Sequence, residues 1–231
     1  MQPVEPLPAS TLVLLRWRKG LEVYLTRRNP NLVFLGGYYV FPGGSRDQDD
    51  YSEPALSRMH AKNVKLKAAE IESQEPEDKK LGYYAAAIRE AFEEAGVLIA
   101  CQKGGREMEF NRELQAELFK LRSLIHEGRA GFLEVMRELD LYFDLDRLHW
   151  FSRWVTPEFS PRRFDTRFFS AALPQGQDPS GFPEEVDEEL WVSPEDAIAQ
   201  CESGKLLMIP PTIASLARLR GCQSLEQALK K

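Results

Sequence analysis

Three cysteines in 231 residues, Cys101, Cys201 and Cys222, are widely separated and odd in number, and none stands in CxxC or Cys/His zinc spacing. A disulfide framework and a structural zinc site are therefore excluded, and a reducing compartment, by default the cytoplasm, is expected. No apolar run approaches the ~18 residues of a membrane span. The N-terminal MQPVEPLPAS lacks the basic and apolar regions of an export signal. Basic runs are missing too: 30 Lys and Arg stand against 36 Asp and Glu, a net charge of −6. Coating nucleic acid or an anionic membrane needs a basic footprint, so neither partner is expected. There is no internal repeat and no low-complexity tract. What is present, 43% hydrophobic and 29% charged residues, is an ordinary globular composition long enough for a substantial core.

Apolar runs at Thr11–Leu15 and Leu21–Thr26, separated by RWRKG, predict an opening β-hairpin. A Gly/Pro-rich loop follows from Asn29 to Gly44. Residues 50–81 are charged and poor in large apolar side chains, which predicts a helical or partly mobile insertion. Tyr83–Ala95 reads as a strong helix stopped by Gly96, with VLIA as a short strand after it. Apolar spacing of i, i+3, i+4 and i+7 predicts two more helices, Phe110–His126 and Phe132–Leu139, within a helical insertion at about 105–150. Strands are expected at Trp150–Val155, Arg163–Leu173 and Leu190–Val192. Ser193-Pro194-Glu195-Asp196 then supplies a cap, a first-turn proline and two acids for a helix to about Cys201. Strands and helices in this order predict an α/β or α+β layered domain with insertions.

At 100° per residue, Glu90, Glu93 and Glu94 fall within about 100° of arc on the 83–95 helix, opposite Ile88, Ala91, Phe92 and Ala95. Like charges at i, i+3 and i+4 destabilise an isolated helix by a few tenths of a kcal/mol per pair. A hard divalent cation such as Mg²⁺ or Mn²⁺, which takes oxygen ligands and binds phosphates, would reverse that sign. Taken alone, ExxEE is more often a solvated acidic face. The informative observation is its co-occurrence with Phe41-Pro42-Gly43-Gly44, where backbone can approach a ligand closely or offer it a carbonyl.

Arg89-Glu90-Ala91-Phe92-Glu93-Glu94-Ala95-Gly96-Val97 resembles the second half of the Nudix hydrolase box, Gx5Ex7REUxEExGU with U apolar, and Gly44 resembles its opening glycine. Asp50 stands where the first Glu belongs, and 38 residues rather than 7 separate it from Arg89. The longer connection adds ~1.5 kcal/mol of closure entropy, tolerable within one domain. This split box resembles the coenzyme A diphosphatase branch, as do Trp154-Val155-Thr156-Pro157, Arg163–Phe169 and Pro210-Pro211-Thr212. The resemblance spans residues 11–219. It implies a single domain over residues 1–231, an α/β/α sandwich with a mixed sheet, carrying insertions at 51–81 and about 105–150.

The resemblance also implies a site. Glu90, Glu93 and Glu94 are the expected Mg²⁺ or Mn²⁺ ligands, with the Gly43 carbonyl, and Arg89 orients the carboxylates. One more acid is expected from Glu184, Glu185, Asp187, Glu188 and Glu189; Glu185 is chosen for catalysis and Glu188 for metal. The general base falls to Glu90, Glu94 or an acid of that loop. Arg28, Arg163, Arg167 and Gly44 are the candidate substrate contacts. The implied reaction is hydrolysis of a pyrophosphate linking a nucleoside to another group. Coenzyme A or an acyl derivative is the first choice, ADP-ribose or NADH the alternative, and a non-catalytic nucleotide-sensing module a third reading. The coenzyme A pattern LLTxR(S/A)x3Rx3Gx3FPGG is kept at Leu25-Thr26, Arg28, Gly37 and Phe41–Gly44, but Asn29 and Val33 depart from it. The 105–150 insertion is expected to wall the pocket or to form a homodimer surface.

Overall fold

A computed structural model describes residues 4–231; the first three residues of the N-terminal stretch discussed above lie outside it. The order is β1 (Leu7–Trp17), β2 (Leu21–Arg28), β3 (Tyr39–Val40), β4 (Gly43–Ser45), α1 (Glu53–Leu56), β5 (Met59–His60), α2 (Val64–Glu70), α3 (Glu77–Ala95) and β6 (Ala100–Cys101). Then come α4 (Arg112–His126), α5 (Phe132–Glu138), β7 (Tyr142–Asp144), β8 (His149–Val155), β9 (Phe164–Ala172), β10 (Val186–Val192), α6 (Pro194–Glu202), α7 (Pro210–Leu219) and α8 (Leu225–Leu229).

The main sheet runs β10-β2-β1-β9-β8, with β1 and β9 parallel and the other pairings antiparallel. Strand β1 is central, so both of its faces are apolar: Leu12 and Leu14 turn to one core, Val13 and Leu15 to the other. The first core lies under α3, the second under α6 and α7, which gives the α/β/α layering. The hairpin pairs only near its turn, from Leu15↔Val23 to Trp17↔Leu21. Beyond that point β4 pairs with β1 (Ser10↔Gly44, Thr11↔Gly43) and β3 pairs with β2 (Thr26↔Val40). The FPGG segment thus enters the sheet between two diverging strands, beside α3.

Helix α3 begins at Glu77, six residues earlier than the sequence predicts, and ends at Gly96, whose φ of 66° suits glycine. The predicted VLIA strand is reduced to β6, which belongs to a second, three-stranded sheet, β5-β7-β6. The 51–81 insertion takes the helical form, one of the two expected, through α1 and α2, and it also contributes β5 to that small sheet. Its β5 pairs in parallel with β7 of the other insertion. Ala55, Ala68 and Ile71 are buried, and Lys67 donates to the Leu148 carbonyl at 2.8 Å. The low apolar content is enough because a few buried side chains suffice where two insertions cover each other. Phe92 packs on Phe132 of α5 at 5.5 Å between ring centroids, tying the carboxylate helix to the helical insertion.

Candidate active site

The two halves of the split motif meet through one guanidinium. Arg89 contacts both oxygens of Asp50, at 2.9 and 3.0 Å, and the Ser45 carbonyl at 2.7 Å. It also contacts Glu90 at 2.7 Å and Glu93 at 3.1 Å. Asp50 is almost fully buried, its side chain 3% exposed. Burial pushes its carboxyl above the usual range, and the hydrogen bonds and charge of Arg89 oppose that rise without cancelling it. The remaining acid, Glu94, accepts from the Gly43 amide at 2.9 Å and faces Arg28 at 3.7 Å. A Cβ on Gly44 would run into the Glu90 carboxylate, so this glycine is what lets β4 lie against α3.

Glu90, Glu93 and Glu94 line one cleft of about 240 Å³ with Arg122, Ile125 and His126 of α4 and with Glu185. Helix α4 therefore walls this cleft, one of the two roles expected for the insertion. Burial first, then repulsion from Glu94 and Glu93, pushes Glu90 up to about 8 against the pull of Arg89. Burial, with repulsion from Glu185 and Glu93, pushes Glu94 up to about 7 against the Gly43 amide and Arg28. Among the described residues no three His, Cys, Asp or Glu side chains converge as a ready-made metal cage. The reason is visible in the contacts: Glu90 and Glu93 turn to Arg89, and Glu94 to the Gly43 amide. The donor set is nevertheless that of a hard divalent ion, carboxylate oxygens bordering space large enough to admit one.

The family profile described as NUDT19 Nudix domain matches residues 8–219. The chain belongs to the Nudix family. Acyl-coenzyme A diphosphatase NUDT19 of Xenopus laevis is 28% identical over 86% of this chain and 59% of its own length. The Gallus gallus protein of that name is 29% identical over 90% of this chain and 64% of its own. The chain thus spans about three fifths of the length of these curated relatives. The crystal structure of a NUDIX hydrolase from Alicyclobacillus acidocaldarius superimposes with a TM-score of 0.75 at 30% identity, covering 97% of this chain and 96% of that one.

Within this Nudix fold, three of the candidates read from the sequence stand elsewhere. Glu188 accepts from the Tyr39 hydroxyl at 2.7 Å, and Tyr39 belongs to the core on the opposite face of the sheet from α3. Arg163 is buried and donates to the carbonyls of Thr156 and Val4. Arg167 is 2% exposed, paired with Asp165 at 2.6 Å and stacked over Tyr83. Neither arginine is free to meet a ligand. Arg28 and Glu185, in contrast, stand beside the Glu90, Glu93 and Glu94 carboxylates.

The sequence reading missed Arg122 and His126, because nothing in a helix repeat distinguishes a site-lining cation from a surface one. It left Glu189 among five acids; this side chain accepts from Tyr24 at 2.6 Å and from the Gly181 amide, on the α3 side of the sheet. Asn29, which departs from the coenzyme A pattern, donates from its side chain to the Glu184 carbonyl at 3.2 Å and from its main-chain N–H to the Glu185 carbonyl at 2.8 Å. Val33, the other departure, is fully exposed.

Proposed function

We propose that this chain, acting as one Nudix hydrolase domain, hydrolyses the pyrophosphate linkage of coenzyme A or an acyl-coenzyme A with Mg²⁺ or Mn²⁺. The observation that carries the reading is the rejoined box: Arg89 fastens Asp50 to the carboxylate helix while the Gly43 amide holds Glu94, so FPGG and REAFEEAG form one site despite the 38 residues between Asp50 and Arg89. Glu90, Glu93 and Glu94 are the residues to hold the cation, which supplies charge neutralisation for the diphosphate and acidifies a bound water. Glu185, across the cleft from these three, is positioned to take the proton of the attacking water. Arg28, 3.7 Å from Glu94, and Arg122, which lines the cleft, contribute positive charge. The names of the curated relatives support the acyl-coenzyme A class.

The exposed Val33, standing where the coenzyme A pattern has Arg, favours a second reading, an ADP-ribose or NADH pyrophosphatase. Incubation with coenzyme A and Mg²⁺ or Mn²⁺ separates the two. Release of 3′,5′-ADP and 4′-phosphopantetheine by the wild type and not by Glu94→Gln supports the first reading. Cleavage of ADP-ribose or NADH alone supports the second. No cleavage of any of them leaves the non-catalytic module. Three free cysteines fit a reducing, cytoplasmic setting. No described helix is long and apolar enough to cross a membrane.

A further inference from the structure

The helical insertion reaches past the cleft wall to the segment that carries Glu185. Arg122 of α4 is 2% exposed and forms no ion pair among the described residues; every acceptor of its hydrogen bonds is a main-chain carbonyl. Its Nε and one terminal nitrogen donate to the Glu93 carbonyl at 3.0 and 2.9 Å, near the end of α3. The other terminal nitrogen donates to the Ser180 carbonyl at 2.5 Å. The Ser180 amide in turn donates to the Ala95 carbonyl, so the segment crosses the C-terminus of α3. Arg122 also lies 4.3 Å over the Phe182 ring, and His126, one turn along α4, stacks on that ring at 4.2 Å and 26°. Beyond Phe182, whose carbonyl accepts from the amides of Glu185 and Val186, the chain delivers the Glu185 carboxylate to within 3.9 Å of His126.

Burying a guanidinium against neutral carbonyls with no ion pair is costly. We infer that Arg122 is a positioning residue for the hydrolysis: with His126 it clamps residues 180–185 to the end of α3, fixing Glu185 opposite Glu90, Glu93 and Glu94. This rests on the role proposed above for Glu185. The arrangement assigns the helical insertion a part in building the site, since both clamp residues come from α4.

The test uses the full chain with Arg122→Lys, which keeps the charge and loses the planar fork, together with Glu185→Gln and the double variant. Coenzyme A and ADP-ribose with Mg²⁺ serve as substrates. A displaced catalytic group costs on the order of 10²-fold, so Arg122→Lys is expected to lower kcat 10- to 100-fold with KM changed by less than about threefold. The double variant should be no slower than Glu185→Gln alone, because both act through one group. Amide exchange at 180–186 should quicken at least about tenfold while β1 and β9 keep their protection. Phe182→Leu, which removes the aromatic face and keeps the main-chain acceptors, should do the same in milder form and decides the matter if Arg122→Lys does not fold. A fully active Glu185→Gln, or a wild type that cleaves neither substrate, overturns the underlying role of Glu185. A slow Glu185→Gln with near-normal Arg122→Lys and Phe182→Leu, or with additive effects, overturns the clamp alone.

Discussion

Replacing Arg89 by Gln removes the group that joins the two halves of the box. The variant leaves Asp50, 3% exposed, with its 2.8 Å contact to the Asp47 amide but no cation, and frees Glu90 and Glu93 to repel each other. Breaking a buried ion pair from one side costs about 3–5 kcal/mol. For a chain of this length each kcal/mol shifts Tm by roughly 2–4 °C. Scanning calorimetry of the metal-free protein at pH 7.5 should therefore show a drop of roughly 6–20 °C. Asp50→Asn in the same chain removes the stranded charge and should restore part of the loss, with a coupling energy of about 1–3 kcal/mol in the double-mutant cycle. The sign with pH follows. Without Arg89 the buried Asp50 carboxyl has a folded pKa further above its unfolded value, so its contribution worsens as pH rises between the two values. The deficit of the Gln variant should accordingly shrink toward pH 5. A Tm loss under about 3 °C at pH 7.5, or a coupling energy near zero, would refute the claim that this ion pair closes the 38-residue gap.

Three further outcomes are expected. Glu94→Gln should lower turnover by orders of magnitude while Tm stays level or rises, because a buried carboxylate repelled by Glu93 and Glu185 becomes neutral; near-normal turnover would sink the carboxylate site. Limited proteolysis under native conditions should cut first in the exposed stretches around Val33 and Phe159, not within residues 51–81, whose side chains are partly buried; first cuts between α1 and α2 would contradict the packing described. Burial tends to raise the Asp165 pKa, but hydrogen bonds from Arg153 and Arg167 outweigh it and hold the carboxyl below its usual value. That stability is present above the unfolded pKa of about 4 and is lost as pH falls through the folded one. The Tm gap between wild type and Asp165→Asn should thus be widest near neutrality and close toward pH 3.

What the sequence by itself determined was local. Three carboxylates on one face of a helix follow from helical periodicity, the helix end follows from Gly96, and FPGG with REAFEEAG marked the halves of one site. The hairpin, the strand beginning near Phe164 and the helix opened by Ser193-Pro194 were legible for the same reason: each depends on neighbours a few residues away. Which acid of residues 184–189 enters the cleft depended on partners 149 to 165 residues distant. Strand β10 pairs Val186 with Arg28 and Glu188 with Arg27, leaving Asp187 as the extra residue of a bulge. Alternation restarts at that bulge, so Glu188 meets Tyr39 on one face while Glu189 meets Tyr24 on the other, and spacing alone could not select Glu185. Likewise Arg163 and Arg167 resemble phosphate contacts until the packing of β9 buries them, and Arg122 resembles a surface residue until α4 is laid across the end of α3. A side chain's direction is set by register and by what covers it, and those are properties of the assembled sheet and its helices.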